Sequence, residues 1–172
     1  ALCDQHGLDD IEALADEIID RSEAATRASI SALAAGTYHA SAVLDLADGS
    51  LIDIVCSVQV DPDAGEITVD YEGSSPASPW GINVVRNYTH AYTTFTVRSV
   101  LNPDIPNNHG SLAPIEMIAP EGSIVNAVSP QPCTARHVVG MFLPNALLKA
   151  LAQVRPDAAM AEGSGAVWTM QV

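Results

Sequence analysis

Positive charge is scarce in this chain. Its 172 residues include seven Lys and Arg against 21 Asp and Glu, which gives a formal net charge of −14 at pH 7. Nucleic-acid binding depends on Lys and Arg side chains that neutralise phosphates and release their counterions. The sequence also contains no basic amphipathic segment of the kind that attaches to anionic lipid. Neither a nucleic acid nor a membrane surface is therefore expected as a partner.

Paired cysteines and long apolar runs are also absent. Cys3, Cys56 and Cys133 lie more than fifty residues apart, which favours neither a disulfide framework nor a zinc cluster. A reducing, cytoplasmic location is expected. No apolar run approaches the roughly 18 residues that a membrane span requires, and no secretory leader precedes the first helix. The chain starts without Met and stops after an apolar run, which predicts a piece of a longer polypeptide.

The acidic residues lie mainly in the first part of the chain. Residues 1–72 contain 16 acids and two bases, whereas residues 73–172 contain five of each. Apolar residues make up 48% of the sequence, which is enough to bury a core. We therefore predict an acidic unit over 1–72 and a neutral unit over 73–172, together forming one compact α+β fold.

Apolar periodicity predicts a long helix and then an antiparallel meander in the acidic unit. Between residues 8 and 35 apolar side chains recur every three or four positions, which indicates a helix with one buried stripe that ends at Gly36. From Tyr38 the period changes to two, and turn sequences at 48–49 and 61–65 separate three strands. The helix is expected to pack on one face of this meander.

The neutral unit combines helices and short strands with long loops. Turn-forming residues dominate 73–83, and an irregular stretch covers 103–132, a length that is uncommon in compact domains unless the loop has a function. The ordered elements expected here are a helix from Val84 to before Asn102, a short strand at 114–119, a helix over 133–154 kinked at Pro144, and a strand over 166–172.

Recognisable motifs for nucleotides, nucleophiles and metals are missing. Gly163 and Gly165 form a GxG that precedes a strand pattern, whereas phosphate binding uses a helix N-terminus. No GxSxG, no GKS/T and no close His spacing such as HxxxH occurs. We therefore expect no complete metal site in this chain.

Four polar side chains remain as candidates for chemistry. Arg136 and His137 begin an otherwise apolar helix, where a guanidinium and an imidazole would face whatever lies at that helix end. They are catalytic candidates, and the alternative is that they only cap or solubilise the helix. His90 is expected to be a partly buried helix residue, and His109 lies in a polar loop that suits a turn or subunit contact as well as catalysis.

Linked motifs in the loops indicate a family. In chain order they are Gly-Thr-Tyr at 36–38, Asp-Tyr-Glu-Gly-Ser-Ser-Pro at 70–76, Gly-Ile-Asn at 81–83, Ile-Pro-Asn-Asn-His-Gly at 105–110, and Leu-Ala-Pro-Ile with Ile-Ala-Pro-Glu-Gly-Ser inside 112–123. Together they resemble the hydantoinase B/oxoprolinase family, which includes subunits of acetone and acetophenone carboxylases. The chain departs from many members at 135–140, where Ala-Arg-His-Val-Val-Gly replaces a G-N-x-E-[TS] pattern.

The resemblance implies that this chain is the central part of the B-type subunit of an ATP-dependent cyclic-amide hydrolase. The hydrolase would be of the hydantoin, 5-oxoproline or lactam type. Its substrate carbonyl would be phosphorylated by an ATP-binding A-type partner. ATP with Mg²⁺ would bind to that partner, a divalent metal would bind elsewhere in the full-length enzyme, and this segment would hold no cofactor and be inactive alone. The substrate-binding candidates in the motif loops are Ser74, Ser75, Asn83, Asn107 and Asn108.

Two other functions remain open. The chain can belong to an ATP-dependent ketone carboxylase of the acetone or acetophenone type, which uses the same scaffold. Alternatively, it is a non-catalytic assembly module of either complex, in which the acidic meander docks on a basic surface.

Overall fold

The structure is a computed structural model that describes residues 2–7, 11–158, 160 and 163. The α+β class is confirmed, and the predicted strand over 166–172 lies outside the described residues. The elements in chain order are α1 (Leu2–His6), α2 (Glu12–Ser31), β1 (Gly36–Asp45), β2 (Leu51–Asp61), β3 (Glu66–Asp70), α3 (Arg86–Leu101), α4 (His109–Leu112), β4 (Ile115–Ile118), α5 (His137–Gly140) and α6 (Phe142–Leu151).

The strands form one mixed sheet in the order β1-β2-β3-β4. The antiparallel meander of β1, β2 and β3 is confirmed, with Ala42 opposite Ile54 and Val58 opposite Val69. The short strand expected near residue 115 is also present, but it pairs in parallel with β3. A parallel pair needs a long crossover, and the chain from Tyr71 to Pro114, which includes α3, provides it.

One face of the sheet forms the hydrophobic core. Alternate residues of β2, including Ile54, Cys56 and Val58, are fully buried there, as the period of two predicts. α6 packs over β1 and β2, and α3 packs on α6. Tyr71 is fully buried beside them, with its hydroxyl 2.7 Å from Thr93 Oγ1 of α3. Residues before and after position 72 therefore share a single core cluster.

The buried stripe predicted for the first helix is wrong over its N-terminal half. Ile30 is fully buried, but Ile11, Leu14 and Ile18 are 53%, 50% and 44% exposed. α2 packs mainly on α4, and Arg27 in its C-terminal half reaches Glu66 of β3. Apolar periodicity shows which face of a helix is apolar, whereas its burial depends on whether another element lies against that face.

Arg27 connects α2 to the sheet. Its guanidinium forms ion pairs with Glu23 at 2.8 Å and with Glu66 of β3 at 3.0 Å, and it donates to the Ala64 carbonyl at 3.1 Å. Hydrogen bonds to Glu23 and Glu66 raise the pKa of Arg27. The Glu23 pair follows from the i,i+4 spacing, whereas the Glu66 pair exists only because the chain folds back.

The prediction of a single helix over 133–154 with a kink at Pro144 is wrong about where the helix begins and where it is interrupted. The helical part begins at His137, and α5 ends at Gly140 before α6 starts at Phe142. Pro144 consequently lies in the first turn of α6. Proline has no N–H, and its ring clashes with the carbonyl four residues earlier, so it interrupts a helix that arrives from before it. In the first turn of a helix proline is tolerated, because the N–H there has no partner within the helix.

Burial of Cys56 leads to a labelling prediction. The side chain is 0% exposed, and desolvation raises the pKa of its thiol to about 12. The thiolate is the reactive form, so native full-length protein at pH 8 should leave Cys56 unmodified by a short pulse of iodoacetamide. Partly buried Cys133 should react. Peptide mass spectrometry measures both sites, with denatured protein as the control. Equal native labelling of the two cysteines would contradict this core.

Candidate functional site

A cleft of about 480 Å³ opens between the β1–β2 turn and two loops of the following chain. Its lining comes from residues 46–48 of the turn, residues 80–82, and Ala135 just before α5. We call it the Trp80 cleft. Most of its lining atoms are apolar, and an adjacent hollow of about 340 Å³ shares Asp48 and Trp80 with it. A concave apolar surface with a few polar groups is typical of small-molecule sites.

Trp80 and Asp48 form the polar contact of this cleft. The indole Nε1 donates to Asp48 Oδ2 at 3.1 Å, and the tryptophan is 55% exposed. Ser50 donates to the same carboxylate through its hydroxyl at 2.6 Å and its backbone N–H at 2.9 Å. These hydrogen bonds, with those from Ser50 the strongest, lower the pKa of Asp48. The cleft therefore has a fixed carboxylate and an oriented indole in its wall.

Sequence reasoning missed Trp80. The available signal was a tryptophan within a Pro-Trp-Gly segment of an irregular loop. A large aromatic side chain in such a loop has no strand or helix to bury it, and exposed apolar surface of this kind marks interaction sites.

Asn83 holds the loop that carries Trp80. It is fully buried, and its Oδ1 accepts from the Ser78 N–H at 2.7 Å. Its Nδ2 donates to the carbonyls of Ser78 at 2.9 Å, Trp80 at 3.0 Å and Pro132 at 2.8 Å. The side chain therefore joins the 78–83 loop to the segment that leads to α5, and its polar atoms are used inside the protein.

Ser74 and Ser75 bond to the edge of β2. The Ser74 hydroxyl lies 3.1 Å from both the N and the O of Val55, and the Ser75 hydroxyl accepts from the Asp53 N–H at 2.9 Å. β3 pairs only with residues 57–61 of β2, so these serines satisfy the part of the strand that β3 leaves open. Their hydroxyls, predicted to bind substrate, are occupied by backbone groups.

Asn108 and Asn107 have different surroundings. Asn108 Oδ1 accepts from the Ser111 N–H at 3.1 Å and caps α4, while its Nδ2 donates to Ser22 Oγ of α2 at 2.8 Å. Asn107 is exposed and lines a separate cleft with His90 and Arg98, which we call the Arg98 cleft. The candidate asparagines are thus not brought together at one site.

Arg136 and His137 are exposed at the start of α5, directly after Ala135 of the Trp80 cleft. The Arg136 guanidinium lies 5.8 Å from the centroid of the Tyr88 ring, within the range of a cation–π contact. Tyr88 stacks on Tyr92 with centroids 4.8 Å apart. The pKa of Tyr88 is raised, first by its hydrogen bond to Tyr92. A cation and an aromatic pair therefore lie at this end of the helix.

Metal chemistry has no support within the described part of the chain. Among residues 2–7, 11–158, 160 and 163, no group of three or more His, Cys, Asp or Glu side chains is placed to hold a metal ion. His109 is exposed at the start of α4, and His90 lines the Arg98 cleft. The described residues therefore do not fit a divalent metal. No helix in this part of the chain has the length and hydrophobicity to cross a bilayer.

Comparison with known sequences shows similarity over the whole chain. A profile of the family described as Hydantoinase B/oxoprolinase matches residues 1–172. The B-type subunit of a putative D-/L-hydantoinase from Pseudomonas sp. (strain NS671) is 33% identical over 166 residues, covering 90% of this chain and 28% of that protein. The 5-oxoprolinase 1 of Arabidopsis thaliana is 37% identical over 79 residues, which are 46% of this chain and 6% of that protein.

Solved structures agree with the sequence comparison. The ATP-dependent caprolactamase from Pseudomonas jessenii superposes with a TM-score of 0.80 at 25% identity, covering 91% of this chain and 27% of that one. Nucleotide-free acetone carboxylase shares the fold, with a TM-score of 0.70 at 18% identity over 79% of this chain and 20% of that one. The chain spans less than a third of the length of these relatives. It belongs to the hydantoinase B/oxoprolinase family.

Proposed function

We propose that this chain is a segment of the B-type subunit of an ATP-dependent hydrolase that opens cyclic amides such as hydantoins, 5-oxoproline or related lactams. The observation that carries the proposal is the 33% identity over 90% of the chain with a protein named as the B-type subunit of a hydantoinase. The 25% identity with an ATP-dependent caprolactamase supports it.

The chemistry of the proposal starts from the low reactivity of an amide carbonyl. An A-type partner, which would bind ATP and Mg²⁺, phosphorylates the carbonyl oxygen and so converts it into a leaving group. A divalent metal would bind in the remainder of the full-length enzyme. Water then adds to the activated carbon, and the ring nitrogen takes up a proton and departs as the C–N bond breaks. A second water hydrolyses the resulting acyl phosphate to the carboxylate and inorganic phosphate.

In this proposal the Trp80 cleft receives the ring of the substrate. Its apolar lining and the face of Trp80 suit a small heterocycle, and its volume of about 480 Å³ falls within the range of small-molecule sites. Arg136, which follows the cleft at Ala135, is free to meet a phosphorylated oxygen, because its described contacts are a 3.5 Å bond to the Cys133 carbonyl and the Tyr88 ring.

The test uses the full-length protein assembled with its partner. We expect ATP hydrolysis that depends on hydantoin, 5-oxoproline or caprolactam, with release of the ring-opened product. Activity with acetone and bicarbonate in place of these amides would instead identify a ketone carboxylase. The similarity to acetone carboxylase, at 18% identity, supports the shared fold alone. Ketone carboxylation is therefore tested as an alternative result of the same assay.

Substitution of Arg136 and His137 should distinguish a role at the active site from a role in assembly of the complex. We expect Arg136→Ala and His137→Ala to lower kcat/KM for the amide by about tenfold or more, since about 1.4 kcal/mol of transition-state stabilisation corresponds to that factor. Arg21→Ala is the matched control, because Arg21 is exposed and its ion pair is with Glu17 on the same helix, α2. Normal turnover with normal assembly in both α5 variants would exclude the assignment. Failed assembly of correctly folded proteins would indicate an assembly module.

A further inference from the structure

The Arg98 cleft has a polar composition that the proposed function does not use. It has a volume of about 240 Å³ and lies between α3 and the segment that leads into α4. His90, Thr94 and Arg98 line it at intervals of four residues, so they share one face of α3. Asn107 lines the opposite side. None of these residues lines the Trp80 cleft.

Arg98 is a partly buried cation without an anionic partner in the described protein. Its Nη2 donates to the Ile105 carbonyl at 2.5 Å. Its Nε is buried and has no hydrogen-bond acceptor, and no described carboxylate pairs with the guanidinium. The absence of a pair is unexpected in a chain with 21 acidic residues and seven Lys and Arg. Buried donors without an acceptor are rare in native proteins because they are destabilising.

The other polar side chains of the cleft also have unused hydrogen-bonding capacity. His90 and Asn107 form no side-chain hydrogen bond within the described protein, and no described lining residue is acidic. Phe95 and Leu112 add an apolar wall, and Phe95 is 62% exposed. Donors that line the same cleft as an apolar wall suit an oxyanion attached to a short hydrocarbon.

We propose that the Arg98 cleft binds a small organic carboxylate. Arg98 and Asn107 donate to the carboxylate oxygens, His90 contacts the same group, and the alkyl part of the ligand packs on Phe95 and Leu112. The small volume of the cleft limits the ligand to a few heavy atoms beyond the carboxylate. This site is independent of the cyclic-amide hydrolase proposed above.

The test measures propionate binding to the full-length protein in its complex by saturation-transfer NMR. Propionamide is the neutral analogue, and inorganic phosphate is added as a competitor. Asn107→Asp introduces a carboxylate at an exposed position in the cleft, so the fold is retained while an anion is repelled. Asn87→Asp is the matched control, since Asn87 is exposed on α3 and lines no part of this cleft.

We expect saturable propionate binding that is about tenfold weaker in Asn107→Asp and unchanged in Asn87→Asp, with propionamide about tenfold weaker than propionate. Failure of propionate to bind the wild-type complex overturns the proposal. Equal binding of propionamide, or equal loss in the two variants, also overturns it. Displacement of propionate by phosphate at lower concentration would assign the cleft to inorganic anions and reject the organic carboxylate.

Discussion

Replacing Gly110 by alanine is expected to separate α2 from α4. A Cβ atom at this position would overlap the carbonyl oxygen of Ile19 and approach its carbonyl carbon to 2.8 Å. These are backbone atoms of a helix and cannot rotate away, so α2 and α4 must separate. The glycine belongs to the Asn-Asn-His-Gly part of the motif at 105–110, and the close helix contact explains why a glycine suits that place.

Separation of the helices strains two hydrogen bonds that α2 receives from asparagine side chains. Asn108 donates to Ser22 at 2.8 Å, and Asn102 donates to Thr26 at 2.9 Å. Apolar side chains in the N-terminal half of α2 are about half exposed, so their burial contributes little that could compensate for the lost hydrogen bonds. We expect the free energy of local opening of α2 to fall by about 3 kcal/mol. This corresponds to an increase of about 100-fold in the rate of amide hydrogen exchange in α2.

Hydrogen exchange measured by mass spectrometry on peptides from Glu12–Ser31 tests this expectation in the full-length protein. Gly163→Ala is the matched control, because no atom lies within 4 Å of a Cβ added at that position. Unchanged exchange of α2 in the Gly110 variant would show that α2 and α4 are less tightly packed than this contact requires.

The second large effect is expected from Asn83→Asp. The substitution replaces the Nδ2 donor by an oxygen that faces the carbonyls of Ser78, Trp80 and Pro132. Three acceptors lose their donor, and a carboxylate is placed in a fully buried position. Because an unsatisfied buried group costs about 1–3 kcal/mol, and a charged one more, we expect a local loss of about 3 kcal/mol or more.

The consequence for the Trp80 cleft is measurable in two ways. Exchange of peptides covering residues 76–85 should accelerate, and amide-dependent ATP hydrolysis of the complex should fall with it. Asn87→Asp introduces the same charge at an exposed position a few residues away and should change neither quantity. Faster hydrogen exchange together with unchanged ATP hydrolysis would show that the function of the cleft does not depend on Asn83.

The candidate site was only partly predictable. The position of Arg136 and His137 at a helix start follows from local sequence, although the helix begins at His137 and not at residue 133. Ser74, Ser75, Asn83 and Asn108 belong to linked motifs, and in the structure their polar atoms bond to other parts of the protein. A motif marks residues that the fold requires as well as residues that contact a ligand, and sequence spacing does not separate the two.

By itself the sequence determined the local structure. Alternation in β2, the turn at Asp48 and the Glu23–Arg27 pair depend on neighbours within a few residues, so their pattern is visible in the chain. Tertiary structure alone decided the parallel β3–β4 pair, the exposure of Ile11, Leu14 and Ile18, and the meeting of Trp80, Asp48 and Ala135 around one cleft. These features join residues from distant parts of the chain, and packing, not local preference, sets which surfaces meet.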